Sequence, residues 1–393
     1  MRETDDNPAR RSSLLVTHKK RWNGEAEYAA CLIEAEAELG YRVTLIAPED
    51  CELVRRVRDR VEFIPLPASR PSGSPRDFIR TVGFISRLLE SGDFDIIHSS
   101  RATAHLMTAL AVRKKLPFIH LRSGAKKPYG HPANRILYRG LTDEVIVSSL
   151  RIKKWLIKGL GMDPARVHRL LAPVDIDYFT PGPSDPGLFR ELGLEPDRQL
   201  VVNVARLAPV KGHDFLVEAM AAVVKKHPRA VLAAVGNPWQ DQPTRILRRA
   251  RELGIEGSVV CPGRREDVER FVRAAAVCVS SSVGSEENSR AVTEYMACGR
   301  PTVVTAVGVM PELVEDGVSG KIVPPRAPSP LAAAIADILA DPARARAMGE
   351  AARKAAEDRF SGKVFRGKLK QILDRALVSH QDTKTQRDSG KII

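Results

Sequence analysis

Short runs of β-branched and apolar residues alternate with longer stretches of helical periodicity along most of the chain. Ser13 to Val16, Arg42 to Ile46, Val61 to Ile64, Asp95 to His98, Pro117 to His120 and Glu144 to Val147 have the character of strands. Between them, Ala26 to Leu39 (closed by Gly40), Phe78 to Leu89 and Ala102 to Lys114 carry helical spacing. Pro173, Pro181, Gly182 and Pro183 then interrupt the pattern and predict a linker. A second series follows, with strands at Leu200 to Val204, Val231 to Val235, Val259-Val260, Ala276 to Ser280 and Thr302 to Thr305. Its helices are predicted at His213 to Lys226, Thr244 to Leu253 and Val292 to Ala297. Strand and helix alternating at this spacing specify parallel, doubly wound sheets, so the predicted class is α/β with two Rossmann-like domains. The predicted boundaries are 1–182 for the first domain and 183–355 for the second. A helix at 356–378 is expected to return to the first domain, and a polar, disordered tail to fill 379–393.

Composition narrows the classes. Of 393 residues, 43% are hydrophobic and 28% charged, as in a soluble globular protein. No apolar run approaches the roughly 20 residues of a membrane-spanning helix. The first apolar run, Leu14 to Val16, is too short for a signal-peptide core, so a cytoplasmic chain is expected. Cys31, Cys51, Cys261, Cys278 and Cys298 are odd in number and form no C-x-x-C pair, which predicts reduced thiols. The net charge of +14 suits polyanionic partners. Cations cluster at Lys19-Lys20-Arg21, Arg113-Lys114-Lys115, Lys126-Lys127 and Lys153-Lys154. No zinc-finger spacing or aromatic-basic signature supports a nucleic-acid partner. Leu150 to Met162 interleaves Arg151, Lys153, Lys154 and Lys158 with Ile152, Trp155, Leu156 and Ile157. That pattern suits an interfacial helix on an anionic membrane surface, and equally an ordinary helix packed on a sheet.

In open α/β sheets ligands bind beyond the carboxyl ends of the strands. After the strand ending at Ala205 stands Arg206, with Lys211 five residues on and Gly212 behind it. Such cations suit a diphosphate, Arg as a bidentate donor and Lys as a point charge; two surface cations would look the same. Glu286 and Glu294 stand eight positions apart across a predicted helix start. Free N–H groups there, from Asn288 to Ala291, favour a phosphate, and a carboxylate can accept from both hydroxyls of a diol. An acidic helix start that merely complements the dipole is the alternative.

Together these runs resemble the large retaining glycosyltransferase family 4, of the GT-B fold. The family pattern appears as Ala205-Arg206-Leu207 to Lys211-Gly212, then Glu286 to Glu294 followed by Tyr295-Met296-Ala297-Cys298-Gly299-Arg300-Pro301-Thr302-Val303. Gly308 to Glu312 and Gly317 to Gly320 continue it in order. Weaker matches include Asp95 to His98, Tyr138 to Asp143 and Val174 to Phe179, so the likeness covers roughly residues 13 to 360. The resemblance implies two domains facing a central cleft and transfer of a sugar from a nucleotide sugar. It implies that Arg206 and Lys211, with Gly24, Ser289 and Arg290, hold the donor diphosphate, and that Glu294 holds the ribose. Glu286 would address the transferred sugar, with Arg122 and Ser123 on the catalytic side. Neither metal nor cofactor is implied, since cations and helix N–H groups neutralise the leaving group. By family habit and by the basic first domain, the expected acceptor is a lipid-linked or lipopolysaccharide-type glycan at the inner membrane face.

The chain departs from the family in places. Trp22-Asn23-Gly24-Glu25 has one glycine where two are usual, and Ser123-Gly124 stands where a histidine is common. His98-Ser99-Ser100 replaces His-x-His, and Gly236-Asn237-Pro238 replaces Gly-x-Gly. His120, inside a predicted strand, is expected to be a buried core histidine. These departures leave open a GT-B-fold nucleotide-sugar epimerase and a non-catalytic nucleotide- or carbohydrate-binding protein. A dinucleotide oxidoreductase lacks its G-x-G-x-x-G after any strand.

Overall fold

The computed structural model describes residues 11–18, 22–67, 73–124, 126–127, 130–284 and 286–388, with the side chains of 382–388 excepted. Lys19, Lys20, Arg21, Ser285 and residues 389–393 lie outside the described residues. The chain forms two compact units, Met1–Ala172 with Phe365–Ile393, and Pro173–Val364.

The first unit holds seven parallel strands: β1 (Ser12–Val16), β2 (Arg42–Ala47), β3 (Glu62–Pro65), β4 (Ile96–Ser100), β5 (Phe118–Arg122), β6 (Glu144–Val147) and β7 (Val167–Arg169). Their order is β3-β2-β1-β4-β5-β6-β7, the doubly wound arrangement with its switch point between β1 and β4. β1, β4 and β6 are buried along their whole length, and the adjacent apolar residues Leu14-Leu15, Ile96-Ile97 and Val145-Ile146 serve both faces of the sheet. Helix α1 (Gly24–Glu38) starts at Asn23, whose side chain accepts the Ala26 N–H at 3.1 Å. Helix α2 (Ala102–Val112) follows β4.

The second unit repeats the plan with β8 (Gln199–Val204), β9 (Ala230–Val235), β10 (Val259–Gly263), β11 (Ala275–Ser280), β12 (Thr302–Thr305) and β13 (Lys321–Val323). Its order is β10-β9-β8-β11-β12-β13, all parallel, and the switch point lies between β8 and β11. Asn203 of β8 spans that junction, donating from Nδ2 to the Val279 carbonyl at 2.8 Å. Helices α3 (His213–Lys226), α4 (Arg290–Ala297), α5 (Pro328–Ala340) and α6 (Pro342–Phe360) cover the sheet.

Helix α7 (Gly362–Asp388) belongs to the first unit from Phe365 onward. Phe365, Leu369, Ile372, Leu373 and Ala376 recur at helical spacing, and all are buried in that unit's core beside Tyr28, Leu32 and Leu45. Fully burying one such leucine contributes roughly 1.5–3 kcal/mol. The helix runs on to Asp388, past residue 379, where the sequence predicts a disordered tail. The segment Ser379 to Asp388 is polar but has no proline or glycine, so the buried turns before it can propagate helix through it.

Candidate functional site

The loops following β8 and β11, the two strands at the second switch point, carry the predicted donor residues. After β8, Pro209–Lys211 makes one 3₁₀ turn, and Gly212 then adopts φ +71° to start α3. A Cβ on Gly212 would stand 2.1 Å from the Ser281 carbonyl oxygen, so only glycine lets the two loops approach. Ser281 completes the contact by donating its hydroxyl to the Lys211 carbonyl at 3.0 Å.

This approach brings Lys211 onto Glu286, with the ammonium directly hydrogen-bonded to the carboxylate. Glu286 is buried, and its other partners are hydroxyls: Ser282 donates to Oε1 at 2.5 Å and Ser289 to Oε2 at 2.9 Å. Its backbone is fixed as well. The Glu286 carbonyl accepts the Val309 N–H at 2.7 Å, and a Cβ on Gly308 (φ +60°) would fall 1.8 Å from that oxygen. Glu286 is thus a charge held in place from four sides, in a loop as expected.

Ser289 sits at the N-cap of α4 in the left-handed region (φ +44°) but gives its hydroxyl to Glu286, not to the helix. The first turn of α4 therefore has no side-chain cap, which suits an anion at that end. Glu294 begins the second turn. Arg290 Nη2 lies 3.1 Å from Glu294 Oε1. Burial raises the Glu294 carboxyl above its ordinary range, and Arg290 opposes the rise.

Arg206 is exposed, and its guanidinium lies 4.8 Å from the centroid of the Trp239 ring. The loop after β9 is strapped to the Arg206 loop by Leu207 N–H to Asn237 O at 2.8 Å and Trp239 N–H to Leu207 O at 3.1 Å. Trp239 remains 45% exposed, unusual for so large an apolar side chain. Neither Trp239 nor the Ser282 contact is evident from the residue pattern alone. The signal for Trp239 was an aromatic three residues past Gly236, beyond a strand end. We expect Trp239→Ala to weaken nucleotide binding about two- to fivefold, the scale of one exposed cation–π contact of ~0.5–1 kcal/mol. Trp239→Phe should restore most of it in calorimetric titrations with nucleoside diphosphates.

The remaining predicted residues lie in the first unit. Gly24 is the first residue of α1, at the carboxyl side of β1. Arg122 ends β5 and donates from Nη2 to the Lys126 carbonyl, and Ser123 is buried just beyond it. Arg101, between β4 and α2, adopts φ +80° and pairs with Glu25 of α1. Such a φ in a non-glycine residue is strained, and the pair marks this unit's switch point; sequence reasoning missed it. His98 lies 2.8 Å from buried Glu36, whose other oxygen accepts the Ser13 hydroxyl at 2.5 Å. His120 is buried inside β5, its ring stacked on His105 with centroids 3.7 Å apart and Nδ1 2.9 Å from Ser99 Oγ. Burial first, then neighbouring positive charge, holds both imidazoles well below their ordinary range, so they stay neutral. From Leu150 to Met162, Ile152, Leu156 and Leu160 are buried and Trp155 and Ile157 pack on the core, while Lys154 and Lys158 are exposed. Among the described residues no helix is long and apolar enough to cross a membrane.

Two Rossmann-like units, the first ordered 3-2-1-4-5-6-7 and the second 3-2-1-4-5-6 with cations and carboxylates gathered at its switch point, have the architecture of the GT-B fold. Residues 185–355 match the family model of glycosyl transferases group 1, and residues 22–178 that of glycosyltransferase family 4. The chain belongs to this family of glycosyltransferases. It is 33% identical over 282 residues to D-inositol 3-phosphate glycosyltransferase of Frankia alni, covering 64% of this chain and 67% of that one. It is 27% identical over 394 residues to the GDP-mannose-dependent alpha-(1-6)-phosphatidylinositol monomannoside mannosyltransferase of Mycolicibacterium smegmatis, covering 92% and 91%. In fold it resembles a glycosyltransferase from Rickettsia africae (TM-score 0.84, 20% identity, 94% and 99% covered). It also resembles Anabaena Alr3699/HepE in complex with UDP (TM-score 0.80, 21% identity, 93% and 100% covered).

Proposed function

We propose that the protein transfers a sugar from a nucleoside diphosphate sugar to a hydroxyl of a glycan, glycolipid or polyol-phosphate acceptor, with retention at the anomeric carbon. The observation that carries this reading is the convergence of Lys211, Glu286, Ser289, Arg290 and Glu294 on one switch point, with Arg206 on the same loop as Lys211. Arg206, Lys211, Ser289, Arg290 and the uncapped start of α4 would take the diphosphate and stabilise its charge as it leaves, without a metal ion. Glu294 would accept from the ribose hydroxyls, and Glu286 would address the sugar. Gly24, Arg122 and Ser123 are assigned to the same reaction from the first unit, on the resemblance alone. A relative named for GDP-mannose and a structural neighbour bound to UDP support a nucleotide sugar as donor. Relatives named for inositol phosphate and a phosphatidylinositol mannoside favour a phosphorylated or lipid-linked acceptor, as in assembly of envelope glycans, including lipopolysaccharide. The test is incubation with UDP- and GDP-sugars and such acceptors. NMR should show product with the donor's anomeric configuration. Inverted product would refute retention, and isomerised free donor without transfer would instead identify an epimerase.

Glu294→Gln should weaken nucleotide affinity while raising Tm at neutral pH. A carboxyl raised by burial contributes stability that is present below its unfolded value, 4.5, and is lost as pH rises through the folded value. The amide removes that loss, so the gain in Tm should shrink as pH falls toward 4. A gain that grows on acidification would contradict the sign.

For the acceptor side we propose weak association with anionic membranes at the inner face. Apart from Leu150, which is exposed, the large apolar residues of 150–162 are turned to the core, so attraction rests mainly on exposed cations such as Lys154 and Lys158, each worth roughly 1 kcal/mol near such a surface. Co-sedimentation of the full chain with anionic vesicles should fall sharply with salt and with Lys153→Glu/Lys154→Glu. Equal sedimentation with neutral vesicles would remove the membrane from the reading.

A further inference from the structure

A cavity lies in the second unit, at the other end of its sheet from the donor residues. It has a volume of about 680 Å³, within the range of small-molecule sites. Gln199 and Ala275, the first residues of β8 and β11, line it, as does Pro301 just ahead of β12. The length of β8, roughly 20 Å at 3.3 Å per residue, separates it from Arg206 and Lys211. One wall is apolar, formed by Ile338 and Leu339 at the end of α5 and by Pro342 and Ala345 at the start of α6.

Arg300 lines the same cavity with its charge uncompensated. Its guanidinium reaches two carbonyls, Ala275 O at 3.4 Å and Gly182 O at 3.2 Å, and its Nε is buried without a partner. No carboxylate among the described residues pairs with it. The other charges on the cavity largely cancel: Arg353 pairs with Glu357 at 2.6 Å and Lys354 with Asp358 at 3.2 Å. Arg346 and Glu350, both exposed, add one charge of each sign at the rim without pairing. Cys298 also lines the cavity, but burial pushes its thiol up to about 12, so it stays neutral and offers no countercharge. A half-buried guanidinium with long bonds to neutral oxygens is poorly compensated for its lost hydration, and an anion would compensate it.

We propose that this cavity binds a small amphiphile, its phosphate head on Arg300 and its hydrocarbon body on Ile338, Leu339, Pro342 and Ala345. Neither the donor nor the acceptor reading uses this end of the sheet, so the site is additional to the transferase site. Both halves of the ligand are required: the head for Arg300 and the chain for the apolar wall.

Calorimetric titration of the full chain with octyl phosphate tests the proposal, with inorganic phosphate and octanol as arms that carry only the head or only the chain. The expected result is saturable binding of one octyl phosphate, at least tenfold tighter than either arm. Arg300→Gln should weaken it at least tenfold, and Ala345→Trp, which fills the cavity, should remove it, with circular dichroism reporting that both variants fold. Should either variant fail to fold, Arg346→Gln at the exposed rim is expected to weaken octyl phosphate two- to threefold. Four results would overturn the proposal: no binding of octyl phosphate up to millimolar concentration, equal binding by wild type and folded Arg300→Gln, inorganic phosphate or octanol binding as tightly as octyl phosphate, or, where a variant does not fold, unchanged binding by Arg346→Gln.

Discussion

Glu286→Gln is expected to lower kcat by about 10²–10³-fold, the scale of losing one electrostatic contact made in the transition state. Nucleotide affinity should change less than about threefold. The amide keeps the side chain's shape, and the hydroxyls of Ser282 and Ser289 can each turn to donate or to accept. What disappears is the negative charge set beside Lys211. That charge faces the carbon side of the donor in this reading, so its loss acts on turnover. Removing it also leaves Lys211 free for the diphosphate, which works against any loss of affinity. Steady-state kinetics together with calorimetry on the same variant separate the two constants. A variant with normal kcat and weakened nucleotide binding would exchange the roles assigned to Glu286 and Glu294.

Lys211→Ala should weaken nucleoside diphosphate binding by ~1.5–3 kcal/mol, roughly ten- to hundredfold, as expected for a hydrogen bond to a charged group. Arg206→Ala should fall in the same range, toward its lower end. The two differ because Arg206 is exposed and rests on Trp239, whereas Lys211 is three-quarters buried and also holds Glu286. Removing one member of a buried pair leaves the other charge unpaired, so Lys211→Ala should lower Tm and kcat as well as affinity. Arg206→Ala should leave Tm almost unchanged. Thermal melts and titrations on both variants check this, and unchanged affinity in both would move the diphosphate away from this loop.

Much of this was legible because the sheets are parallel and buried. β9 is Ala230-Val-Leu-Ala-Ala-Val235, apolar at every position, and α3 occupies its predicted range of His213 to Lys226. The elements that escaped were those without room for a period. β7 and β13 have three residues each and gain their place only by pairing at a sheet edge. Helix α5 begins Pro328-Ser-Pro330, punctuation that masks the apolar run behind it. At the site, Glu286 in a loop and Glu294 on a second helical turn followed from spacing to a predicted helix. The Lys211–Glu286 pair did not, because 75 residues separate the partners and only the meeting of Gly212 with Ser281 brings them together. Arg101 was invisible for a related reason: a left-handed arginine has no sequence signature, and Glu25 holds it from another element.

Whether the nucleotide sits at the switch point of the second unit is tested by hydrogen–deuterium exchange of the full chain, with and without whichever of UDP, GDP or ADP raises Tm most. Exchange should slow in the amides of 205–212 and 286–294, the segments that follow β8 and β11 and include the first turn of α4. The amides of 236–240, beside Trp239, should slow with them, and the second unit's helices away from the switch point should not change. Protection confined to the first unit, or none with any of the three nucleotides, would contradict it.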